Sequence, residues 1–426
     1  MSGTVVNNVA RASGTIAPTV AGLDWSAAVV TASTVTVEAG KGYFINTTSN
    51  ACTITLPAEA EIGDQIVIAD YARTWADNAV TLDSNGLKFQ GETDAYIVNY
   101  DTVGQSLNIV FSDSTKGWLP VSDDAVAFEH GNPPTQRGII AFGNNPSDNV
   151  SNLSNLISSS GVVATDGTGV GTARKVLAAA GYGGDKAIFG FGVTNAVTGI
   201  TNLVNNSGTV QSDVSAVGTA RRSLAAADYG VGLAIFAFGV ISNNTGISNL
   251  VNNVGTVQSD VSAVGTARHG LAANTFGGDK AIFAYGYTNA KVSISNLVNN
   301  SGVIASDVSG VGTARDGIMC CGFGGDKAIF AYGSPTGYTA VSNIVNNIGV
   351  VQADVSGVGT VRANGAACSY GGDKGIFVRG TSVVDDEAVW HSLSNLVNNN
   401  GVVGSDVTGV GTAQEGPAAS GFSYSA

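Results

Sequence analysis

Residues 277–315 read GGDKAIFAYGYTNAKVSISNLVNNSGVIASDVSGVGTAR, and close copies of this stretch recur on both sides of it. The glycine that closes the apolar run within it recurs at intervals of 49 and then 47 residues, at Gly143, Gly192, Gly239, Gly286, Gly333 and Gly380. The chain therefore contains six copies of one unit. A unit of this length exceeds tetratricopeptide and ankyrin repeats and matches one four-stranded blade of a β-propeller.

Each copy contains four short segments with the composition of β-strands. In the second copy they are residues 177–181, 186–192, 199–205 and 208–215, with turn residues between them. The apolar run KAIFGF suits a strand that is buried on both faces, and the Gly-Gly before it suits a tight hairpin. Gly, Asn, Ser and Val interrupt every window that could form an amphipathic helix. The sequence therefore predicts an all-β fold.

The two ends of the repeat array complement each other. The first copy opens at Arg137 with its second strand, and no first strand directly precedes it. Residues 415–424 follow the last copy and align with that missing strand. A C-terminal strand that completes an N-terminal blade closes a toroid and removes exposed sheet edges. We therefore expect a six-bladed β-propeller over residues 137–426.

The residues before the array differ from it in composition. Residues 1–30 are small and polar, with too few apolar residues for a core, and we expect an arm that a partner or sister subunit orders; a simple flexible terminus is the alternative. Residues 31–125 contain seven segments of alternating apolar residues, which predict a small β-sandwich or jelly roll. Residues 126–136 include Pro133 and Pro134 and are expected to form a semi-rigid linker.

The charge is unevenly distributed along the chain. Residues 1–130 carry 15 acidic and 5 basic residues, whereas residues 131–426 carry 17 and 14. Neither part has the basic patch that binding to a phosphate backbone requires, so we expect no nucleic-acid partner. No apolar run approaches the roughly 18 to 20 residues that cross a bilayer, and the N-terminus lacks the pattern of a signal peptide. We therefore expect neither membrane insertion nor export by a signal peptide.

Catalytic and metal-binding patterns are absent from the sequence. The three histidines share no spacing, and no hydrolase, metalloprotease or glycosidase motif occurs. The cysteines give no disulfide framework and are expected to be small core thiols. We therefore predict that the protein is not an enzyme and that it binds no metal or cofactor.

One aspartate per copy precedes the next G-T-A-R run. These residues are isolated, whereas a calcium loop brings several oxygen ligands together. We expect them to cap turns or to pair with the arginine seven or eight positions later. They are Asp166, Asp213, Asp260, Asp307, Asp354 and Asp406.

The sixth copy alone departs from the repeat. It holds five extra residues within residues 381–391, and Arg379 replaces the aromatic residue of other copies. An exposed tryptophan with a histidine and acidic residues can stack on a sugar ring or contact a neighbouring protein. A neutral insertion in a loop is the alternative. The candidate ligand-binding residues are Arg379, Asp385, Asp386, Trp390 and His391.

The repeat resembles kelch-type propellers in its length, its Gly-Gly beside an apolar strand and its one arginine per copy. It departs from them because the Gly-Gly precedes that strand and the periodic Tyr and Trp are missing. The whole chain resembles structural proteins of marine tailed phages, especially those that infect cyanobacteria. Two stretches carry this resemblance: residues 42–75, GYFINTTSNACTITLPAEAEIGDQIVIADYARTW, and the GTAR…GGDKAIF…SNLVNN…DVSGVGTAR repeat. The resemblance implies a virion component and supplies no catalytic motif.

These observations lead us to expect a non-enzymatic virion protein, made in the host cytoplasm. Residues 1–125 would bind other virion proteins, and the propeller would face outward as a tail-fibre or appendage adhesin for a host-surface glycan. A homo-oligomer is expected, with a trimer favoured because phage appendages of this resemblance are often trimers. The alternatives are a capsid or tail decoration protein without a receptor role and a glycan-degrading enzyme.

Overall fold

The computed structural model of the chain describes residues 23–92, 98–125 and 135–425. Over these residues the regular elements are β-strands and none is a helix, which confirms the all-β fold. No described segment is therefore a helix long and apolar enough to span a membrane. The chain divides into two compact units, Met1–Glu129 and His130–Ala426.

The described strands of the first unit form two sheets around one apolar core. The five-stranded sheet has the order β1-β3-β5-β8-β9, and the four-stranded sheet has the order β2-β4-β6-β7. The strands are β1 Asp24–Trp25, β2 Thr34–Thr36, β3 Lys41–Ile45, β4 Cys52–Thr55, β5 Gln65–Asp70, β6 Val80–Asp83, β7 Val98–Tyr100, β8 Gln105–Asp113 and β9 Gly117–Ala125.

Along the strands of this unit, side chains that enter the core alternate with side chains that face outward. In β8 the side chains of Leu107, Ile109 and Phe111 enter the core, and those between them face outward. A strand whose side chains point to opposite faces in turn can cover a core with one face only. This pattern lets one sheet cover each side of the shared core.

The pairing within these two sheets corrects the expected jelly roll. From β1 to β6 the chain alternates between the sheets, so that β1, β3 and β5 pair in parallel, and so do β2, β4 and β6. A jelly roll is built from antiparallel strands. Here a strand of one sheet connects two parallel strands of the other. The antiparallel pairs are β5–β8, β6–β7 and β8–β9.

The arm predicted for residues 1–30 extends too far. Asp24 and Trp25 pair with β3, and Val30 forms a bridge with Ile45, so these residues belong to the five-stranded sheet. Residues 1–22 lie outside the described residues, as do residues 126–134 of the predicted linker.

The described strands of the second unit form six three-stranded antiparallel sheets. Each sheet has a first strand, a middle strand and a third strand, and each copy is numbered by its middle strand. The first strands are β27 Ala418–Phe422, β12 Ala178–Tyr182, β15 Ala225–Tyr229, β18 Ala272–Phe276, β21 Met319–Phe323 and β24 Ala366–Tyr370. The middle strands are β10 Arg137–Ala141, β13 Lys186–Gly190, β16 Leu233–Ala237, β19 Lys280–Ala284, β22 Lys327–Ala331 and β25 Lys374–Val384. The third strands are β11 Ser154–Ile157, β14 Thr201–Val204, β17 Ser248–Val251, β20 Ser295–Val298, β23 Ser342–Val345 and β26 Glu387–Val397.

The middle strand is the most deeply buried part of each copy. In β13 the side chains of Ala187, Ile188 and Phe189 have no exposed surface, as the continuous apolar run predicts. A turn of three residues joins it to β12, since Tyr182 pairs with Lys186. Gly183 and Gly184 in this turn have φ of 60° and 82°, a conformation that glycine adopts at little cost.

The predicted fourth strand is present only in part. In the second copy Val210 and Val214 each form one isolated bridge to β14, at Val204 and Thr201. The two bridges are out of register by one residue, which indicates a bulge between them. The outer edge of the sheet is therefore irregular, and the sequence pattern alone did not indicate the bulge.

The C-terminal strand completes the first sheet. β27 pairs with β10 along its whole length, from Arg137 opposite Phe422 to Ala141 opposite Ala418. This confirms the pairing predicted for residues 415–424. The first strand of each copy also contacts the first strand of the next, and β27 contacts both β24 and β12.

One cavity of about 190 Å³ is lined by residues from all six first strands. The residues at one equivalent position are Gly181, Asp228, Thr275, Gly322, Ser369 and Gly421. Most of these side chains are small, as expected where several strands come close together. The six-bladed propeller itself stays a prediction.

Candidate functional site

A closed ring of backbone hydrogen bonds joins the six copies at the start of their first strands. Each amide donates to the carbonyl of the preceding copy, with N···O distances of 2.8–2.9 Å. The residues have φ between 48° and 63°, which turns the N–H and C=O of each toward its neighbours. They are Val176, Ser223, Gly270, Gly317, Asn364 and Gly416.

A second ring joins the copies at the opposite ends of the same strands. In the second to sixth copies the turn between first and middle strand donates one amide to the following copy, over N···O distances of 2.7–2.9 Å. The last of these bonds, from Gly371 to Gln136, returns from the sixth copy to the first. In the first copy Ser423, which follows β27, is the donor and Gln136, which precedes β10, is the acceptor. The donors are Gly183, Gly230, Gly277, Gly324, Gly371 and Ser423.

The recurring aspartates form a third set of links between copies, which we call the aspartate latches. Asp213 accepts hydrogen bonds from the backbone N–H and the hydroxyl of Thr172, which belongs to the preceding copy, and from the side-chain amide of Asn202. Burial raises the pKa of Asp213, but these hydrogen bonds outweigh burial, so that the net pKa is lowered. The capping interpretation is therefore correct, although the capped turn lies in the neighbouring copy. The six Thr–Asp pairs are 172–213, 219–260, 266–307, 313–354, 360–406 and 412–166.

A buried arginine fills the space between neighbouring copies. Arg174 has no exposed surface, and its guanidinium lies 4.1 Å from the ring centre of Phe142. Its Nε donates to the carbonyl of Phe191 in the next copy at 2.9 Å. Burial lowers the pKa of Arg174 to about 10, with partial compensation by Asp213, so the group stays charged at neutral pH. Equivalent cation–π contacts occur at Arg221, Arg268, Arg315 and Arg362.

In the sixth copy two different residues occupy the positions of the arginine and the aromatic ring. Gln414 stands where the other copies have arginine, and Arg379 stands where they have the aromatic residue. Arg379 donates to the side chains of Gln414 and Asn155, and only 1% of its surface is exposed. Arg379 is therefore part of the packing between copies and does not belong to an accessible binding site. The coincidence of GTAQ with the lost aromatic residue was visible in the sequence and could have indicated this pairing.

The five extra residues of the sixth copy lengthen a hairpin, here called the copy-six hairpin and defined as residues 381–391. Thr381 pairs with Trp390, and the ladder continues to Val384 opposite Glu387. Asp385 and Asp386 form the turn, with φ of 52° and 64°. Positive φ at both central residues is typical of the type I′ turn of two-residue hairpins.

The exposed part of this hairpin is its tip. Residues 383–388 are exposed, including Val383 and Val384, which keep 47% and 55% of their surface accessible. Trp390 is half-buried, contrary to the exposed ring that we expected, and its indole N–H has no hydrogen-bond partner among the described residues. The structure therefore brings Asp385 and Asp386 to the tip and places Trp390 and His391 near the base.

His391 and Ser382 form a pair that sequence inspection missed. Ser382 Oγ and His391 Nε2 are 2.7 Å apart, the contact that a nucleophile and its base make in many hydrolases. Ser382 is only 2% exposed, so a substrate cannot approach its hydroxyl. Burial lowers the pKa of His391, and Arg362 lowers it further, against the opposing effect of Asp406. The pair is suited to fixing the base of the hairpin.

No cluster of three or more potential metal ligands occurs in the part of the chain that the structure describes. Cys52, Cys320, Cys321 and Cys368 are all free and buried. Burial raises the pKa of the Cys368 thiol to about 12, which keeps it protonated. These thiols therefore act as small apolar core residues.

The first unit carries a separate exposed feature, here called the aromatic row. The rings of Trp25 and Phe44 are stacked with centroids 4.6 Å apart, and Tyr71 meets Phe44 edge-on at 6.4 Å. All three are exposed by at least 39%. Trp25 lies directly over Gly42, where a β-carbon would come within 2.6 Å of the indole ring. Neighbouring exposed aromatic side chains are typical of surfaces that contact another molecule.

No family model matches this chain, and no curated protein shows significant sequence similarity to it.

Proposed function

We propose that the second unit is a six-bladed, kelch-like β-propeller closed by its C-terminal strand. Three observations support the proposal: the pairing of β27 with β10, the two closed rings of backbone hydrogen bonds, and the cavity lined by all six first strands. A ring of hydrogen bonds that returns to its first member requires a cyclic order of copies. Antiparallel sheets of about this size, repeated around an axis, are the blades of propellers.

The protein is proposed to be a non-enzymatic structural protein of a phage particle, displayed outward as a tail-fibre or appendage adhesin. The observation that carries this proposal is that, in the described part of the second unit, the repeated Asp, Thr and Arg side chains contact neighbouring copies, while the copy-six hairpin alone extends beyond the repeat with a different sequence. Such an arrangement suits a stiff support that presents a distinct hairpin at one place. The resemblance of the chain to marine phage structural proteins supports the virion assignment.

The tip of the copy-six hairpin is the proposed receptor contact. Asp385 and Asp386 offer carboxylates that can accept hydrogen bonds from sugar hydroxyls, and Val383 and Val384 offer apolar surface. Trp390 and His391 support the hairpin from its base. A host-surface glycan is the proposed ligand class.

A loop exchange tests this contact. Replacing residues 381–394 with residues 193–201 of the second copy converts the hairpin into the short connection of the other copies. We expect host adsorption by particles that carry this variant to be lost, while the melting temperature stays within a few degrees of the wild type. Unchanged adsorption would exclude the hairpin as the receptor contact.

The aromatic row is proposed as the surface by which the first unit docks onto other virion proteins. Replacing Trp25 and Phe44 with serine should abolish incorporation into particles while the purified protein stays folded, because exposed rings contribute more to an interface than to the core. Normal incorporation of this variant would contradict the docking role.

Electron microscopy of labelled particles distinguishes the adhesin from the decoration protein. The adhesin requires a position on a tail fibre or appendage. A position on the capsid shell would instead favour decoration. Sugar release from host envelopes by the purified protein, abolished by a single substitution, would favour a glycan-degrading enzyme.

A further inference from the structure

Neighbouring copies of the second unit form a surface groove where the turn after the third strand of one copy lies on the preceding copy. Between the fourth and fifth copies, Gly349 lies over Phe276 and Leu297, and a β-carbon at this glycine would come within 2.7 Å of the Phe276 ring. The groove beside this contact, here called the 4/5 groove, is lined by Phe276, Lys280, Leu297, Val303, Ala305 and Ile348.

The 4/5 groove is mostly apolar, and Asn299 and Asn347 are the polar uncharged residues of its lining. Its cavity volume is about 390 Å³, which is within the range of small-molecule sites. Val303 and Ile348 expose 60% and 68% of their surface at its walls, above a floor that contains the buried ring of Phe276. Exposing two branched apolar side chains next to each other is unfavourable in water unless something covers them.

The repeat provides five internal comparisons for this groove. Three positions are compared: those of Val303 and Ala305 on one wall and that of Ile348 on the other. In no other groove are all three side chains apolar with a branched residue on each wall. The equivalent triplets are Val162, Ala164 and Ser207; Thr209, Gln211 and Val254; Thr256, Gln258 and Ser301; Val350, Gln352 and Asn400; and Val402, Gly404 and Ser160. The backbone of these sites is built alike, so the difference lies in the side chains, at these three positions and at the floor, where the copies with Tyr182, Tyr229 and Tyr370 have tyrosine in place of Phe276.

One charged side chain lines the 4/5 groove. Lys280 is half-exposed, and its ammonium lies 2.8 Å from the carboxylate of Asp279. The same Lys–Asp pair recurs in three other copies, whereas the third copy has Leu233 at this position. Asp279 accepts only one of the three N–H groups of this ammonium, so Lys280 can also donate to an anionic group at the wall of the groove.

We infer that the 4/5 groove binds a small amphiphile with a flat or branched apolar body and an anionic head group. The body would lie against Phe276, Val303 and Ile348, and the head group would lie beside Lys280. This inference concerns a different surface from the proposed receptor contact and does not depend on it.

Two fluorescent probes test the inference with the full-length protein. Anilinonaphthalene sulfonate has the proposed apolar body and anionic group, and N-phenyl-1-naphthylamine has the body alone. We expect one saturable site for both probes on the wild type. If either probe fails to bind saturably to the wild type, the inference is overturned.

A triple substitution, Val303→Thr with Ala305→Gln and Ile348→Ser, introduces the residues of the 3/4 groove. These residues occur at equivalent positions of the same fold, so melting temperature and circular dichroism should match the wild type. We expect binding of both probes to weaken at least about tenfold, because several apolar contacts are lost. Unchanged binding by a folded variant would show that the probes bind elsewhere and would overturn the inference.

The reciprocal substitution asks whether these residues are sufficient. Thr256→Val with Gln258→Ala and Ser301→Ile should create a second site for the neutral probe in the 3/4 groove, which has Leu233 instead of lysine.

In the 4/5 groove, Lys280→Leu should weaken binding of the sulfonate severalfold and leave the neutral probe unaffected. Equal losses for both probes would contradict the role assigned to the anionic group.

Discussion

At Arg379 and Gln414 the sixth copy makes the contact between copies with a different pair of residues. In the other copies a buried arginine packs on an aromatic ring, and in one of them Arg315 also donates to Asn343. In the sixth copy Arg379 donates to the equivalent Asn155 from the position of the ring. One guanidinium thus occupies the space between copies in either arrangement, because a second one would bring two buried positive charges together.

A double-mutant cycle tests this interpretation. Gln414→Arg alone should destabilise the protein by roughly 3 kcal/mol, since it places a second buried cation beside Arg379. Arg379→Tyr combined with Gln414→Arg restores the arrangement of the other copies and should recover most of that loss. Urea unfolding of the four proteins measures the free energies. Additive effects of the two substitutions would contradict a direct contact.

The glycine at the turn after the third strand is a second residue on which the packing between copies depends. Gly349 has φ of 83° and no space for a β-carbon, whereas a β-carbon at Gly337 in the same copy would meet no atom within 4 Å. Gly349→Ala should therefore lower the free energy of unfolding by about 1–3 kcal/mol, through backbone strain and the clash with Phe276. Gly337→Ala is the matched control and should change it little. Equal effects of the two substitutions would contradict the close approach.

At the scale of elements, the sequence was informative where burial is complete and less so at edges. The apolar run of β13 predicted a middle strand because no other element of this length suits a segment buried on both faces. The edge segment with Val210 and Val214 was predicted as a full strand, because a bulge leaves no mark in an alternating pattern. The parallel pairing in the first unit was missed for a related reason, since alternation shows which face a residue occupies and not which strand lies beside it.

The same limit explains what was and was not predicted about the candidate site. The insertion in the sixth copy was visible as a break in the repeat, but the exposure of its residues was not. Trp390 was expected at the surface and is half-buried. It lies at the base of the hairpin, where it pairs with Thr381, and not at the exposed tip. Arg379 was expected in the site and is buried between copies. The local sequence did not indicate this burial, because the partner Gln414 lies 35 positions later in the chain.

The aspartate latches connect the sheets, and their protonation should weaken the connection. The pKa of Asp307 is lowered in the folded protein, because its hydrogen bonds outweigh the opposing effect of burial. A carboxyl whose folded pKa is below its unfolded value contributes stability above the unfolded value of about 3.9, and this contribution is lost as the pH falls toward the folded pKa. We therefore expect the free energy of unfolding to fall steeply below about pH 4, with contributions from all six latches.

Urea unfolding at a series of pH values checks this expectation. Asp307→Asn should lower the stability at pH 7 and reduce the slope of the free energy of unfolding against pH between roughly pH 4 and 3. Asp279→Asn removes the half-buried carboxylate of a surface ion pair and is the control for the loss of one negative charge. A slope that is the same for both variants would contradict the role of the latches.

A closed cycle of copies is the central feature of the proposed propeller. An open array would leave the first middle strand, β10, with an unpaired edge and would leave Asp166 without Thr412. Closure also explains why the copies can be so similar, because each one then makes the same contacts with two neighbours. The two ends of the repeat array thus contribute more to the stability than their length indicates.

Truncation after Gln414 tests closure most directly, with truncation after Ser423 as the control that keeps β27. The free energy of unfolding in urea is the quantity to measure for both proteins and for the full chain. The account predicts a loss of several kcal/mol for the first truncation, because it removes a paired strand and the buried ring of Phe422, and little change for the second. An equal free energy of unfolding for the protein that ends at Gln414 and the full chain would contradict the closed cycle.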